Sequence, residues 1–418
     1  MKKVVLETLG CKVNQYETQA MRELLESGGY SVVDNVSDAD IYVVNTCVVT
    51  HTAEKDSLLK INKAIKDNPN VSVLVTGCLA EQVKEIAGVK FVVGNSSKNR
   101  ILEVLGGVKK QDELAVSKFH RHTRAFIKIE DGCENFCSYC VVPHVRGKIK
   151  SRDLKDITEE TLRLVKNGYK EIVLTGINLG AYGKDLKKKI DLADVLKVLV
   201  EINGVGRIRL SSIEPDCLND SLINLIGQAP GICNHLHIPL QSGDDEILKK
   251  MNRKYSADDF RRLVRKLKDS IKDIGITTDI IVGFPGEKEP SFENTCRLAE
   301  EAGFLKAHIF TYSDRKGTKA YDFADKVPED IKEKRYNKLK DICDRKAKEF
   351  VKESMGKELK VLVEDSKDKE TGYFKGLSGN YIRILLENAG RDSINKIVKV
   401  RINKLIDGSA LFAKGCII

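Results

Sequence analysis

The chain has 418 residues, 41% of them hydrophobic, and a formal net charge of +10. This length calls for two or three domains, and no apolar run reaches the roughly 18–20 residues of a membrane span. The 11 cysteines, behind an N-terminus that reads as a strand and not as a secretory signal, point to a reducing cytoplasm and to metal chemistry rather than a disulfide framework.

Residues 1–115 alternate strand and helix. Apolar runs at 4–6, 41–44, 71–75 and 91–93 predict four strands, and helical spacing falls at 15–26 and 54–66. Continuous apolar runs between helices predict a doubly wound parallel sheet. Cys11 follows the first strand, Cys47 the second and Cys78 the third. Each stands just past a strand's carboxyl end, where open parallel sheets bind ligands. A lone cysteine is usually a small core hydrophobe. Three at one topological position indicate a ligand set. Residues 107–123 read as a polar connection with His120 and His122.

The second unit, 119–350, repeats strand and helix. Strands are expected at 126–129, 171–174, 207–211, 235–239, 277–282 and 307–311, and helices at 157–167 and 257–274. Six right-handed units of this kind curl into a partial barrel with chemistry at the carboxyl strand ends. Thr175, Gly176, Asn178, Ser212 and Gln241 lie there. Pro328 opens a charged helix reaching about 352, with Ile331, Leu339, Ile342 and Phe350 turned inward. Residues 352–418 change to short alternating strands at 359–364, 373–376, 381–385, 397–402 and 410–414. These predict a small antiparallel barrel. Its outward Lys360, Lys375, Arg383, Lys399, Arg401 and Lys414, with the basic excess outside the first 118 residues, suit a nucleic-acid strand.

The densest chemistry is Cys133, Cys137 and Cys140, spaced C-x3-C-x2-C after the strand at 126–129. Three thiols this close leave one over if they pair as disulfides. As thiolates they can hold a four-iron cubane with one iron open to a chelating small molecule. Zinc is the other reading. It needs a fourth ligand, and His144 is the nearest. The iron–sulfur reading is favoured because zinc patterns usually come as C-x2-C pairs.

With Tyr139 before the last cysteine, the motif resembles the radical S-adenosylmethionine (SAM) superfamily. The whole chain resembles the methylthiotransferases. The matching residues are Gly10-Cys11-Lys12-Val13-Asn14, Asn45-Thr46-Cys47, Thr76-Gly77-Cys78, Arg146-Gly147 and His237-Ile238-Pro239-Leu240-Gln241-Ser242-Gly243. The C-terminal barrel resembles the TRAM RNA-binding module. His144 departs from the tyrosine found in many members. The resemblance implies two 4Fe-4S clusters, one on Cys133, Cys137 and Cys140 that cleaves SAM to a radical, and one on Cys11, Cys47 and Cys78 that carries sulfur. It implies insertion of a methylthio group at carbon 2 of N6-threonylcarbamoyladenosine next to the tRNA anticodon, with an electron donor such as flavodoxin or ferredoxin and a sulfur donor. The SAM pocket is expected at Thr175, Gly176, Asn178, Ser212 and Gln241. The same chemistry on isopentenyladenosine, or on a ribosomal-protein aspartate, is the alternative. From other classes, a zinc-stabilised RNA-binding protein and an iron–sulfur electron carrier stay open.

Overall fold

The computed structural model describes residues 1–108, 114–406 and 412–418. The first unit is a parallel sheet of β1 (Lys3–Thr8), β2 (Ser31–Val32), β3 (Ile41–Thr46), β4 (Ser72–Gly77) and β5 (Val89–Val93), in the order β2-β1-β3-β4-β5. The two-residue edge strand β2 was not foreseen; it is too short to show a period. Helix α1 (Lys12–Ser27) puts Met21, Leu24 and Leu25 on one face with Ile41 and Val43, and α3 (Ile101–Val104) joins them. Helix α2 (His51–Asp67) puts Ile61 and Ala64 on the other with Tyr42, Val44 and Val73. The chain winds both ways from β1 and β3, so a crevice opens at their carboxyl ends.

The connection after 113 is not the solvated linker expected. Val116 and Phe119 are buried in the main core, and the Phe119 amide donates to the Tyr169 hydroxyl at 2.6 Å. Leu114 packs against the same core, and so few apolar residues in a polar stretch show no pattern.

The second unit has parallel strands β6 (Ala125–Lys128), β9 (Glu171–Thr175), β10 (Arg207–Leu210), β11 (His235–His237), β12 (Gly275–Val282) and β13 (Lys306–Thr311), with the short pair β7 (Glu130–Asp131) and β8 (Lys150–Ser151) beside the cysteine loop. They lie in chain order as two ladders, β6-β9-β10 and β11-β12-β13. Bridges Ile208↔Ile232 and Ser212↔His237 join the ladders. Helices α4 (Val142–Arg146), α5 (Leu154–Lys166), α6 (Leu192–Val200), α7 (Asp220–Gln228), α8 (Asp245–Lys250), α9 (Ala257–Ser270) and α10 (Glu289–Ala302) fill the connections. Capping boxes start α6 and α9, so side chains satisfy the first free amides. Helix α11 (Glu329–Glu353) buries Leu339, Cys343, Ala347 and Val351. Leu339 matches expectation; Ile331, Ile342 and Phe350 are half-buried, and the buried stripe runs through Lys332 and Arg335 instead. Arg335 is drawn inward by Glu287 at 2.8 Å.

The last unit is a closed barrel of β14 (Glu358–Lys367), β15 (Phe374–Ser378), β16 (Arg383–Leu386), β17 (Ile397–Leu405) and β18 (Phe412–Ile417) in the order β14-β15-β16-β18-β17. It is not wholly antiparallel, because β16 pairs with β18 in parallel. Alternation reports faces, not direction, so sequence could not distinguish the two. Ala410 and Leu411 of the expected last strand lie outside the described residues. Lys360, Arg383, Lys399 and Arg401 are exposed; Lys375 and Lys414 are half-buried.

This barrel docks through a buried charge group. Glu171 accepts from Arg207 Nε at 2.6 Å and Arg209 Nε at 2.7 Å. The same arginines donate to the carbonyls of Lys360, Leu377, Ser378 and Gly379. Among the described residues no helix is long and apolar enough to cross a membrane.

Candidate metal centre

All 11 cysteines are free. Cys11 occupies the N-cap position of α1, but its side chain makes no capping bond, and it is exposed. Cys47 and Cys78 are buried. Asn14 holds their loops together by donating to the carbonyls of Leu9 at 2.7 Å and Thr46 at 3.0 Å. Ser57 Oγ brackets Cys47, accepting from its amide at 3.2 Å and donating to its carbonyl at 3.0 Å. Gly10 has φ +91°, and a Cβ there would lie 2.7 Å from the Cys47 Cβ and 2.8 Å from its Sγ. Only glycine lets the first loop approach Cys47 this closely. The topology thus brings three sequence-distant thiols to the carboxyl ends of β1, β3 and β4.

Cys133, Cys137 and Cys140 are half-buried on the loop after β7. The end of α8 and the residues after it clamp that loop. Asn252 Nδ2 donates to the carbonyls of Asn135 at 3.1 Å and Phe136 at 3.0 Å. Ser138 donates through its amide to Met251 O at 3.0 Å and through its hydroxyl to Lys250 O at 2.8 Å. Arg253 Nη1 reaches Cys137 Sγ at 3.3 Å, pairs with Glu214 and lies over the Tyr255 ring at 4.9 Å. Asn252 and Phe136 both have φ near +60° or below, at 60° and 47°. Such backbone is rare outside glycine and persists where surroundings fix it.

Burial pushes the Cys47 and Cys133 thiols up to about 11 and Cys140 to about 12, and neighbouring cysteines add to it. Bare thiolates are therefore unfavourable here, and a bound cation would displace their protons. Among the described residues no three ligating side chains close on a single ion. A cubane takes each of three thiolates on a separate iron, whereas a structural zinc takes four protein ligands on one ion. His144 is exposed, edge-on to Phe136 with centroids 6.1 Å apart.

A buried charge network joins the two triads. Arg146 Nη1 meets Glu17 at 2.8 Å and Asp131 at 3.2 Å, and Nη2 donates to Asn14 Oδ1 at 2.5 Å. Its guanidinium also lies beside Cys78, whose thiol burial pushes up and Arg146 pulls back. Asp131 is two residues before Cys133, so one side chain touches both cysteine regions. Glu17 further takes Lys98 and, at 2.9 Å, Lys128. Burial pushes the Glu17 carboxyl up, but Arg146, Lys128 and Lys98 together hold it well below the usual range.

Of the residues expected to hold SAM, Thr175 is buried at the end of β9. A Cβ at Gly176 would lie 2.6 Å from Glu130 Oε2. The Asn178 amide donates to that same oxygen at 2.8 Å. The Asn178 Oδ1 and Glu130 Oε1 atoms are buried without a partner. Burial raises Glu130 to about 8. Ser212 and Gln241 stand apart at the next two strand ends. Gln241 has φ +64°, and among the described residues neither side chain makes a hydrogen bond. Gly176 and Asn178 therefore meet at Glu130, Thr175 pairs with Lys128 one strand over, and the other two lie elsewhere. Glu130, Asn252 and Arg253 had gone unread as site residues. The one signal for Asn252 was its type, since asparagine tolerates left-handed backbone.

A parallel (β/α) array carrying a three-cysteine loop at its carboxyl edge defines a radical SAM enzyme. Residues 127–299 match the radical SAM superfamily, and residues 3–94 match the uncharacterized protein family UPF0004. The chain is 39% identical to the threonylcarbamoyladenosine tRNA methylthiotransferase MtaB of Bacillus subtilis, over 97% of this chain and 94% of that one. It is 42% identical to the MtaB of Thermotoga maritima over 87% of each. It is 36% identical to a tRNA-2-methylthio-N(6)-dimethylallyladenosine synthase of Clostridium tetani, over 97% of this chain and 94% of that one. In fold it resembles the radical SAM methyltransferase TsrM of Kitasatospora setae, with TM-score 0.56 and 16% identity over 74% of this chain and 75% of that one.

The chain belongs to the radical SAM tRNA methylthiotransferases. It is an enzyme that acts on tRNA and uses SAM and 4Fe-4S clusters. The non-catalytic zinc and electron-carrier readings fall with that assignment.

Proposed function

We propose that this enzyme places a methylthio group on carbon 2 of N6-threonylcarbamoyladenosine beside the anticodon of tRNA. The observation that supports it is the pair of thiol triads joined through Arg146, read here as a sulfur-holding site beside a SAM-cleaving one. Greater identity to threonylcarbamoyladenosine enzymes (39% and 42%) than to the dimethylallyladenosine enzyme (36%) supports the substrate. The alternative is dimethylallyladenosine, on the strength of that same relative.

The work divides over units 1–115, 119–350 and 352–418. In this reading Cys11, Cys47 and Cys78 hold one cluster and Cys133, Cys137 and Cys140 the other. When bound, these clusters supply the electron that cleaves SAM and an iron that keeps sulfur in place. Arg253 offsets negative charge at Cys137 and Arg146 does so at Cys78. Thr175, Gly176 and Asn178 form the near wall for SAM, with Ser212 and Gln241 offering free side chains further round. Glu130 fixes the Gly176–Asn178 turn. The C-terminal barrel meets the anticodon stem-loop with its exposed basic residues. A reduced flavodoxin or ferredoxin, a sulfur donor and a cytoplasmic setting complete the reading.

The test is mass spectrometry of tRNA nucleosides from cells with and without the gene. Loss of the methylthio form of threonylcarbamoyladenosine, with its precursor accumulating, supports the reading. Loss of the dimethylallyl form instead moves the substrate to the alternative. In the purified enzyme, Cys47→Ala keeps SAM cleavage and loses sulfur insertion; loss of both would refute the division of roles.

A further inference from the structure

The loop that follows β13 touches both cysteine regions. Arg315 on this loop reaches into the first unit. Its Nη1 donates to Glu54 Oε2 at 2.7 Å, and its Nη2 donates to the Val48 carbonyl. Val48 directly follows Cys47. Only 6% of Arg315 is exposed, so both bonds are made in a nearly dry place. Further along the same loop, the Ala320 amide donates to the Ser138 carbonyl at 2.7 Å. Ser138 stands between Cys137 and Cys140.

The stretch between these two ends is tied to itself and to the core. The Thr318 amide and hydroxyl both donate to the Arg315 carbonyl, at 3.1 and 2.7 Å. Tyr312 Oη donates to the Ala320 carbonyl at 2.9 Å. Tyr312 and Ala320 are buried in one cluster with Met251, Ile281 and Phe284, and Tyr139 packs against it. The partners at each end are also held. Ser57 brackets the Cys47 peptide from within the first unit, and Ser138 is bonded to Met251 and Lys250. A short run of bonds therefore connects the backbone beside Cys47 to the backbone between Cys137 and Cys140. It shares no residue with the Arg146 network, which reaches Asn14, Glu17 and Asp131. An arginine that only docked two units would be satisfied by a surface carboxylate; this one also takes a main-chain carbonyl next to a cysteine.

We propose that Arg315 is a positioning residue for sulfur insertion: through the Val48 carbonyl it fixes the Cys47 site relative to the loop of Cys133, Cys137 and Cys140. Sulfur held at one triad has to meet a carbon radical generated at the other. In such an arrangement a misplacement of about 1 Å costs on the order of a hundredfold in rate. Loss of Arg315 then uncouples the two halves of the reaction, with SAM still cleaved and little sulfur inserted. This rests on the reading of the two triads given above.

The test uses the full-length chain, loaded with iron and sulfide anaerobically, and total tRNA from cells lacking the gene, so that the outcome does not depend on which adenosine is modified. Deoxyadenosine released from SAM, methylthio nucleosides and iron per chain are measured together. Arg315→Met lowers kcat for methylthiolation by roughly a hundredfold, with KM for tRNA and deoxyadenosine release each within about twofold of the parent. Iron stays at about eight per chain. The magnetic interaction between the two reduced clusters, read by electron paramagnetic resonance, differs from the parent's in Arg315→Met. Arg315→Lys recovers part of both the rate and the spectrum, because an ammonium still donates to one carbonyl. Glu54→Gln, which leaves the carbonyl bond in place, keeps methylthiolation within about threefold. Parental methylthiolation in Arg315→Met overturns the proposal. So does an equal fall in deoxyadenosine release, or loss of iron, since Arg315 would then build the site and not align it. An equal loss in Glu54→Gln and Arg315→Met also overturns it, by assigning the effect to docking through the ion pair. If the parent cleaves SAM and modifies no tRNA, the reading of the function has failed; if the parent and Arg315→Met modify tRNA alike, only the role of Arg315 has.

Discussion

Replacing Glu171 with glutamine removes one charge and almost no volume. Glu171 is fully buried, with its oxygens on Arg207 and Arg209, which are 5% and 2% exposed. Burial pushes its carboxyl up, but the two arginines overcome that and hold it at about 2, against an ordinary 4.5. That gap corresponds to about 3 kcal/mol in favour of the charged form. Glutamine would leave two buried guanidinium groups facing an amide, and breaking a buried pair in this way costs about 3–5 kcal/mol. The arginines also hold the carbonyls of 377–379, so the loss is felt where the C-terminal barrel docks. Hydrogen exchange of peptides spanning 374–386 reads it directly. Three kcal/mol lowers protection by roughly two orders of magnitude. The folded carboxyl is depressed, so its contribution is present above pH 4.5 and fades as pH falls toward about 2. The gap between Glu171→Gln and parent narrows over that window. Protection within twofold of the parent at neutral pH would refute the argument.

Gly10→Ala places a methyl group 2.7 Å from the Cys47 Cβ in backbone at φ +91°. Iron per chain should fall from about eight toward about four, since only the first triad is displaced; unchanged iron by colorimetric assay counts against the close-approach argument. Arg146→Met leaves Glu17 and Asp131 short of a cation between the two cysteine regions and should destabilise by about 3 kcal/mol or more. Arg146→Lys recovers only part, because one ammonium cannot meet Glu17, Asp131 and Asn14 together; equal melting of Met and Lys variants would contradict this. Glu130 has its folded value raised to about 8, so ionising it destabilises the fold. Parent stability relative to Glu130→Gln should fall as pH rises from 4.5 toward 8 and level off beyond. A flat difference in urea titrations across that range would show that Glu130 is not held protonated. Arg253→Gln removes the cation at Cys137 and should shift the reduction potential of the adjacent cluster downward, followed by anaerobic spectroscopic titration; no shift would place Arg253 in packing alone.

The residue order alone determined a good deal. Short unbroken apolar runs alternating with helices read as buried parallel strands, so the sheet, the strand–helix array and the position of Cys11, Cys47 and Cys78 at strand ends were legible. The Cys133 loop was legible because its ligands are local. Alternation in the tail gave a barrel but not the parallel β16–β18 pair, since side-chain period carries no strand direction. Tertiary structure alone decided which distant charges meet. Nothing in the sequence pairs Glu17, Lys98, Asp131 and Arg146, and charged residues usually belong at the surface. Glu17, Lys98 and the Arg146 guanidinium are buried, with Asp131 at their edge, because each satisfies another across two units, and desolvated charge is stable only when paired.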